Sequence, residues 1–234
     1  MTTRPTTTLI TGAAKGLGLA AATQLAAAGH TVYVAARDLD RARAVATAIG
    51  GRPVRLDVTS DASVAAAVAA VAAGTDHLDV LVNNAGITTT TPPAAVGADD
   101  LERVYATNVF GPVRVLQAFL PLLRAGTDPL VVNVSSTLGS VRRTSDPAAF
   151  ESGFPTPAYT SSKAALNMLT SQFAAALPDV RVIAVTPGYT ATDLNGHRGT
   201  DTPEEGVRAV VAAVTGEVAV PTGAFADATG VLAW

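Results

Sequence analysis

The stretch TLITGAAKGLGLAAATQLAAAG, from Thr8 to Gly29, decides the fold. A short apolar run ends at a glycine-containing loop, and an alanine-rich helical pattern follows directly. A strand that turns sharply into a helix brings backbone N–H groups and the positive end of the helix to one point, where a phosphate is stabilised. Glycines alone would mark only a tight turn, but strand, loop and helix agree here. The stretch therefore predicts a phosphate-binding βα unit.

The rest of the chain repeats this alternation of short apolar runs and longer helical patterns, which indicates parallel strands joined by crossover helices. Most of the runs are uniformly apolar, as strands covered on both faces are. We expect an α/β fold with a doubly wound parallel sheet of about seven strands and helices on both faces. The predicted strands are 8–10, 31–35, 54–56, 80–82, 130–134, 180–185 and 224–226. The predicted helices are 17–28, 39–49, 60–73, 101–123, 159–177 and 203–214.

Length and composition limit the possible functions. The chain has 234 residues, 48% of them hydrophobic, which is enough for one large core, so we expect a single domain over residues 1–234. The net charge of −3 offers no basic face, so nucleic acid is not an expected partner. Cysteine is absent, which excludes disulfides and thiolate nucleophiles. The three histidines lack paired ligand spacing, and we expect no metal site.

No stretch of the sequence has the character of a membrane or export segment. No apolar run approaches the roughly 18 residues of a membrane span, so no membrane is an expected partner. The segment 1–8 is polar and lacks the apolar core of a signal peptide. We expect a cytoplasmic protein.

Four motifs in fixed order resemble the short-chain dehydrogenase/reductase family over nearly the whole chain. They are Thr11-Gly12-x-x-x-Gly16-x-Gly18, Asn83-Asn84-Ala85-Gly86, Tyr159-x-x-x-Lys163 and Pro187-Gly188. Each motif alone is weak, but the set is highly specific. The resemblance, strongest to carbonyl-reductase-like members, implies a Rossmann fold and an oxidoreductase that moves a hydride between a nicotinamide dinucleotide and a carbonyl or alcohol. It implies cofactor contacts at Gly12, Lys15, Gly16, Leu17, Gly18, Arg37, Asp57, Val58, Asn84, Ala85, Gly86, Tyr159, Lys163, Pro187, Gly188, Thr190 and Thr192.

The residue after the second predicted strand distinguishes binding of NAD from binding of NADP. Arg37 occupies the position where an acidic residue would accept the ribose 2'-OH of NAD and a cation would meet the 2'-phosphate of NADP. Lys15 lies in the adjoining loop, so two cations flank the expected phosphate and favour NADP(H). Asp38 would favour NAD if it faced the ribose, but we interpret it as part of a solvated helix start. Lys15 and Lys163 are the only lysines among 16 cationic residues.

Tyr159 and Lys163 stand four residues apart on a predicted helix, so their side chains share one face. An ammonium beside a phenol favours the ionised phenol and lowers its pKa, which makes proton exchange with a substrate oxygen feasible. An exposed helix pair would have the same spacing, but the upstream motifs favour a catalytic pair. The resemblance adds Ser136, chosen over Ser135 by motif register, to bind the reacting oxygen, and Asn108 to anchor a proton-relay water.

Two irregular segments carry the residues that would shape a substrate pocket. We expect substrate-binding loops at 138–158 and 188–202, the second with a lid at 193–202. The first is longer than most family members carry, and it either roofs the pocket or covers a helix face that many members use to dimerise. A homo-oligomer is therefore possible. Two alternative functions stay open: an NAD-dependent alcohol dehydrogenase and a non-catalytic module that senses NADP(H).

Overall fold

A computed structural model describes residues 6–234. Eight strands form one sheet in the order β3-β2-β1-β4-β5-β6-β7-β8. The pairs are parallel except for the last, β7 with β8. The strands are β1 (Thr7–Thr11), β2 (Thr31–Ala36), β3 (Arg52–Arg55), β4 (Val80–Asn83), β5 (Leu130–Val134), β6 (Arg181–Val185), β7 (Phe225–Asp227) and β8 (Gly230–Leu232).

Helices cover both faces of this sheet, as the sequence predicts. Successive residues of a strand point to opposite faces, so Ile10 enters one buried core and Leu9 the other. The first core packs α1, α2 and α9, and the second packs α3, α5 and α7. The helices are α1 (Gly16–Ala27), α2 (Leu39–Ile49), α3 (Asp61–Ala72), α4 (Ala98–Tyr105), α5 (Gly111–Arg124), α6 (Val141–Thr144), α7 (Pro157–Ala176), α8 (Pro203–Gly206) and α9 (Arg208–Thr215).

The order of the strands reverses between β1 and β4, which are neighbours in the sheet. In a doubly wound sheet the loops that leave the carboxyl ends diverge at such a switch point and open a crevice. The glycine loop after β1 and Asn84–Gly86 after β4 both lie there. Within the described part of the chain, no helix combines the length and apolar character needed to cross a bilayer.

Three features differ from the sequence-based expectation, one of which is that the helix predicted at 203–214 is divided into α8 and α9. The sheet gains an eighth, antiparallel strand because Asp227 accepts hydrogen bonds from the backbone of Thr229 and Gly230 and closes a hairpin. The helix predicted at 101–123 is divided, since a π-helical turn at Ala106–Phe110 separates α4 from α5. Such turns insert one extra residue and are frequent at functional sites.

Candidate active site

The glycine loop is tied to the segment that follows β4. The Thr11 hydroxyl accepts hydrogen bonds from the backbone N–H groups of Asn84 and Ala85, each at 3.0 Å. The Asn84 side-chain amide donates to the Thr11 carbonyl at 2.8 Å. A Cβ at Gly12 would lie 3.1 Å from the Ala85 Cα. The two motifs therefore form one rigid wall of the crevice.

The same loop fits a dinucleotide phosphate. Gly12 and Gly16 have φ values of +66° and +53°, which L side chains rarely adopt. Lys15 is the N-cap of α1 but its side chain makes no cap hydrogen bond, so it leaves the first N–H groups of that helix for another acceptor. Backbone donors at an uncapped helix start suit an anion.

The end of β2 carries an exposed cation, Arg37, followed by an acid, Asp38, that caps the next helix. Arg37 is exposed, while the Asp38 carboxylate is the N-cap of α2 and accepts from the N–H groups of Asp40 and Arg41 at 3.0 and 3.2 Å. Asp38 is thus engaged as a helix cap, as predicted. Burial raises the pKa of Asp57, but hydrogen bonds from Thr59 and the charges of Arg37 and Arg114 together hold it below its ordinary value. Arg37 and Asp57 therefore lie near each other.

Asp57 and Val58 follow β3 at the same edge of the sheet. The Asp57 carboxylate accepts from the backbone and hydroxyl of Thr59, at 2.9 and 2.7 Å. The Val58 carbonyl accepts from Arg114 of α5 at 2.8 Å. Both residues are held in a fixed turn beside the crevice.

Tyr159 and Ser136 meet where β5 ends and α7 begins. The Ser136 hydroxyl lies near that of Tyr159 and lowers its pKa, whereas Ser135 points into the protein, where it donates to Asn167 Oδ1 at 2.5 Å. Tyr159 keeps some exposed surface, yet burial around its hydroxyl raises its pKa to about 12, against the smaller, opposing effect of Ser136. The phenol is therefore protonated at neutral pH.

Lys163 lies one helical turn further along α7 and is 5% exposed. Its Nζ lies 5.5 Å from the centroid of the Tyr159 ring and donates to the Val134 carbonyl at 2.8 Å. Burial lowers its pKa to about 8. We expected the ammonium to lower the pKa of Tyr159; instead burial moves both groups toward their neutral forms, because the low-dielectric surroundings disfavour either charge.

Asn108 lies in the π-helical turn and is saturated with hydrogen bonds. Its Oδ1 accepts from the Ile87 N–H at 2.9 Å, and its Nδ2 donates to the Ile87 carbonyl at 2.9 Å and to Ser162 Oγ at 3.0 Å. Ser162 in turn donates to the Tyr159 carbonyl at 2.6 Å. The side chain thus joins the segment after β4 to the helix of Tyr159 and Lys163, and the relay water expected at Asn108 stays a prediction.

The segment after β6 turns back over the glycine loop. Gly188 has a φ of +75°. Thr190 is buried, and its hydroxyl donates a hydrogen bond to the Pro187 carbonyl at 2.9 Å. A Cβ at Gly16 would lie 3.6 Å from Thr192 Cγ2. Thr192, one of the predicted cofactor residues, thus lies against the start of α1.

The two irregular segments meet through aromatic rings. Phe150 and Phe154 of the first lie 4.6 Å apart between centroids, and Tyr189 of the second lies 5.6 and 5.5 Å from them. The first segment is less irregular than expected, since it holds α6 and an ion pair of the buried Glu151 with the partly exposed Arg143 at 3.1 Å. The three rings form an apolar cluster between the two segments.

Several contributors at this edge were missed by the sequence reasoning. The Val134 carbonyl carries no side-chain signal, and Asp193, which meets Lys15, is distant in sequence. Ser162 lies inside the Tyr-x-x-x-Lys motif, so its position was a usable signal.

Among the described residues, no group of three or more histidines or carboxylates has the arrangement of a metal site.

Comparisons with known proteins agree with this geometry. The family model for short chain dehydrogenases matches residues 6–203. A short-chain dehydrogenase of Penicillium roqueforti is 37% identical over 220 residues, which cover 88% of this chain and 87% of that protein. The structure of an NADPH-bound carbonyl reductase from chicken fatty liver superposes with a TM-score of 0.87 at 29% identity, over 99% of this chain and 100% of that one.

A second solved structure carries the other dinucleotide. A 3-ketoacyl-(acyl-carrier-protein) reductase from Brucella melitensis, complexed with NADH, superposes with a TM-score of 0.81 at 26% identity, over 95% of this chain and 97% of that one. The fold and the family match define an α/β oxidoreductase. The chain belongs to the short-chain dehydrogenase/reductase family and is similar to its carbonyl reductases.

Proposed function

We propose that the protein is an NADP(H)-dependent carbonyl reductase in which Tyr159 exchanges the proton with the substrate oxygen. The observation that carries the proposal is the grouping of three side chains at the carboxyl end of β5: the Ser136 hydroxyl lies near enough to the Tyr159 hydroxyl to affect its pKa, and Lys163 Nζ lies 5.5 Å from the centroid of the Tyr159 ring. A sensor of the dinucleotide needs the glycine loop but has no use for this cluster.

The protonation state of Tyr159 favours reduction of a carbonyl substrate. NADPH, when bound, supplies a hydride to the carbonyl carbon. Tyr159, protonated at neutral pH, donates its proton to the oxygen as the negative charge develops there, while Ser136 donates a second hydrogen bond to that oxygen. The phenolate left on Tyr159 is stabilised by the Lys163 ammonium and regains its proton from solvent. One C–H and one O–H bond form, and the carbonyl is reduced by two electrons.

The preference for NADP(H) is supported by the groups at the end of β2. Asp38 is occupied as the cap of α2, which leaves Arg37 as the charged side chain available to the adenosine ribose. A guanidinium forms paired hydrogen bonds with a phosphate. Arg37→Asp should therefore weaken binding of NADPH and improve that of NADH, as measured by nucleotide fluorescence titration. An unchanged preference for NADPH would remove Arg37 from this role.

The substrate is proposed to lie under the segments 138–158 and 188–202, with the whole chain acting as one domain. The cluster of Phe150, Phe154 and Tyr189 joins these segments with apolar surface, which favours a carbonyl compound with a bulky apolar body.

The direct test follows NADPH absorbance with a panel of ketones and aldehydes, repeated with NADH. Tyr159→Phe should abolish turnover while the Kd for NADPH stays within about twofold of wild type, because only the proton donor is removed. Normal turnover in that variant would overturn the assignment. Oxidation of neither cofactor with any compound would favour the sensor.

A further inference from the structure

Lys15, expected at the cofactor phosphate, is engaged with an acid of the opposite segment. Its Nζ lies 2.6 Å from Asp193 Oδ2, and the two side chains are 65% and 57% exposed. The other carboxylate oxygen, Asp193 Oδ1, lies 2.9 Å from His197 Nε2. A pair this exposed is weak and readily exchanged for another partner.

Asp193 is held in place by its own turn. The segment Asp193–Asn195 is a 3-10 turn in which the Asn195 side chain accepts from the Thr192 N–H at 3.2 Å and donates to the Thr190 carbonyl at 2.9 Å. Thr192 lies against Gly16 of the glycine loop. The hydrogen bonds of this turn therefore hold the Asp193 carboxylate next to Lys15.

Lys15 also lies within reach of the Arg37 side of the crevice. The Ala13 N–H donates to the Ala35 carbonyl at 3.0 Å, which joins the glycine loop to the end of β2. Lys15 follows Ala13 by two residues, and Arg37 follows Ala35 by two residues. Lysine combines a compact charge with a flexible four-carbon stem, which lets it change partners. The backbone that carries Lys15 therefore lies near the end of β2 that carries Arg37, while the ammonium is held by Asp193.

We propose that Asp193 competes with the 2'-phosphate of NADP(H) for Lys15 and so limits discrimination between NADPH and NADH. The inference rests on the proposed function. Only NADPH carries the competing phosphate, so removal of the carboxylate charge releases Lys15 to bind NADPH and leaves NADH unaffected. Because Lys15 and His197 hold the pKa of Asp193 below its ordinary value, with the Lys15 hydrogen bond contributing most, the carboxylate is charged throughout the neutral range.

The test compares dissociation constants of NADPH and NADH for wild type, Asp193→Asn, Lys15→Met and the double variant. Asp99→Asn is the matched control, because it removes one exposed negative charge at the start of α4. Asp193→Asn should lower the Kd for NADPH about two- to fivefold, the range expected of an exposed ion pair. The Kd for NADH should not change, and Asp99→Asn should change neither. In the Lys15→Met background, Asp193→Asn should have no effect on NADPH.

Each other outcome overturns the inference. Tighter binding of both cofactors would mean that Lys15 serves the pyrophosphate, which they share. Weaker binding of both would mean that the ion pair only fastens the segment 188–202. An effect of Asp193→Asn that persists without Lys15 would mean general repulsion. If wild type itself does not prefer NADPH, the cofactor assignment of the proposed function fails instead, which is a separate result.

Discussion

Lys163 Nζ donates to the Val134 carbonyl at 2.8 Å, so the ammonium beside Tyr159 is fixed by the strand that leads into Ser136. Val134 is the last residue of β5, and Ser136 lies two residues beyond it. The spacing of the three groups therefore depends on the docking of α7 on β5, not on α7 alone. Any change that shifts the helix along the strand separates the proton donor from its partners.

The first prediction concerns stability and pH. The pKa of Lys163 is about 8 in the folded protein, against an ordinary value of 10.5. Between these values the unfolded chain binds more protons, so the free energy of unfolding rises with pH. From pH 7 to pH 10 it should rise by about 2 kcal/mol more in wild type than in Lys163→Met. Urea denaturation at both pH values measures this. Equal changes in the two proteins would contradict the burial effect. Tyr159 acts in the opposite direction near pH 10, because its pKa rises from 10.0 to about 12 on folding, but this contribution is common to both proteins and cancels in the comparison.

The second prediction separates two adjacent serines. Ser136→Ala should lower kcat roughly 100-fold, because a hydrogen bond to the reacting oxygen is lost. Ser135→Ala should instead lower the free energy of unfolding by about 1–3 kcal/mol, because Asn167 is buried and loses its donor. Its kcat should stay within about threefold of wild type. Steady-state kinetics and denaturation of both variants give the answer, and the reverse pattern would exchange the roles of the serines.

The third prediction concerns the close approach of α1 to the glycine loop. A Cβ at Gly18 would collide with the Gly12 carbonyl oxygen and lie 2.5 Å from Asn84 Nδ2. Gly18→Ala should therefore lower the free energy of unfolding by about 1–3 kcal/mol and raise the Kd for NADPH, because the loop must shift. Gly153→Ala is the control, as no atom lies within 4 Å of its added Cβ. Similar losses in both variants would show that loop geometry is not the cause.

The fourth prediction concerns the aromatic cluster. Tyr189→Ala should lower kcat/KM for a bulky cyclic ketone roughly tenfold, because one apolar wall is removed, and should leave acetone turnover nearly unchanged. Phe110→Ala serves as control, since Phe110 is 54% exposed and its ring pairs with Tyr105 rather than with this cluster. If acetone and the cyclic ketone lose equally, Tyr189 supports the active site generally and does not contact the substrate.

The sequence predicts the parts of the fold that depend on periodicity and turn residues. β5 and α2 begin and end at the predicted residues, because a uniform apolar run and a capped amphipathic helix are both local signals. The π-helical turn was not predictable, since Asn108 departs from the regular helix through hydrogen bonds to Ile87, which is remote in sequence. β8 was missed because three residues after a turn carry no periodic pattern.

For the candidate site, the sequence motifs predict which side chains take part, but the contacts of those side chains depend on the tertiary structure. Ser136, Tyr159 and Lys163 were named from sequence and lie together in the structure. The direction of the pKa changes was not predictable, because burial is a property of the folded surroundings. The engagement of Lys15 with Asp193 joins residues 178 positions apart, and no local pattern reports such a contact.

Strand direction also has a practical consequence. The segments that build the crevice leave the carboxyl ends of the strands. The loop that contains Glu217 enters the amino end of β7, which lies at the opposite end of the parallel strands. Glu217 is exposed, and the chain has no cysteine. A cysteine introduced at this position would be a unique thiol, so the protein can be attached to an electrode or bead in one orientation, with the opening of the crevice facing the solution.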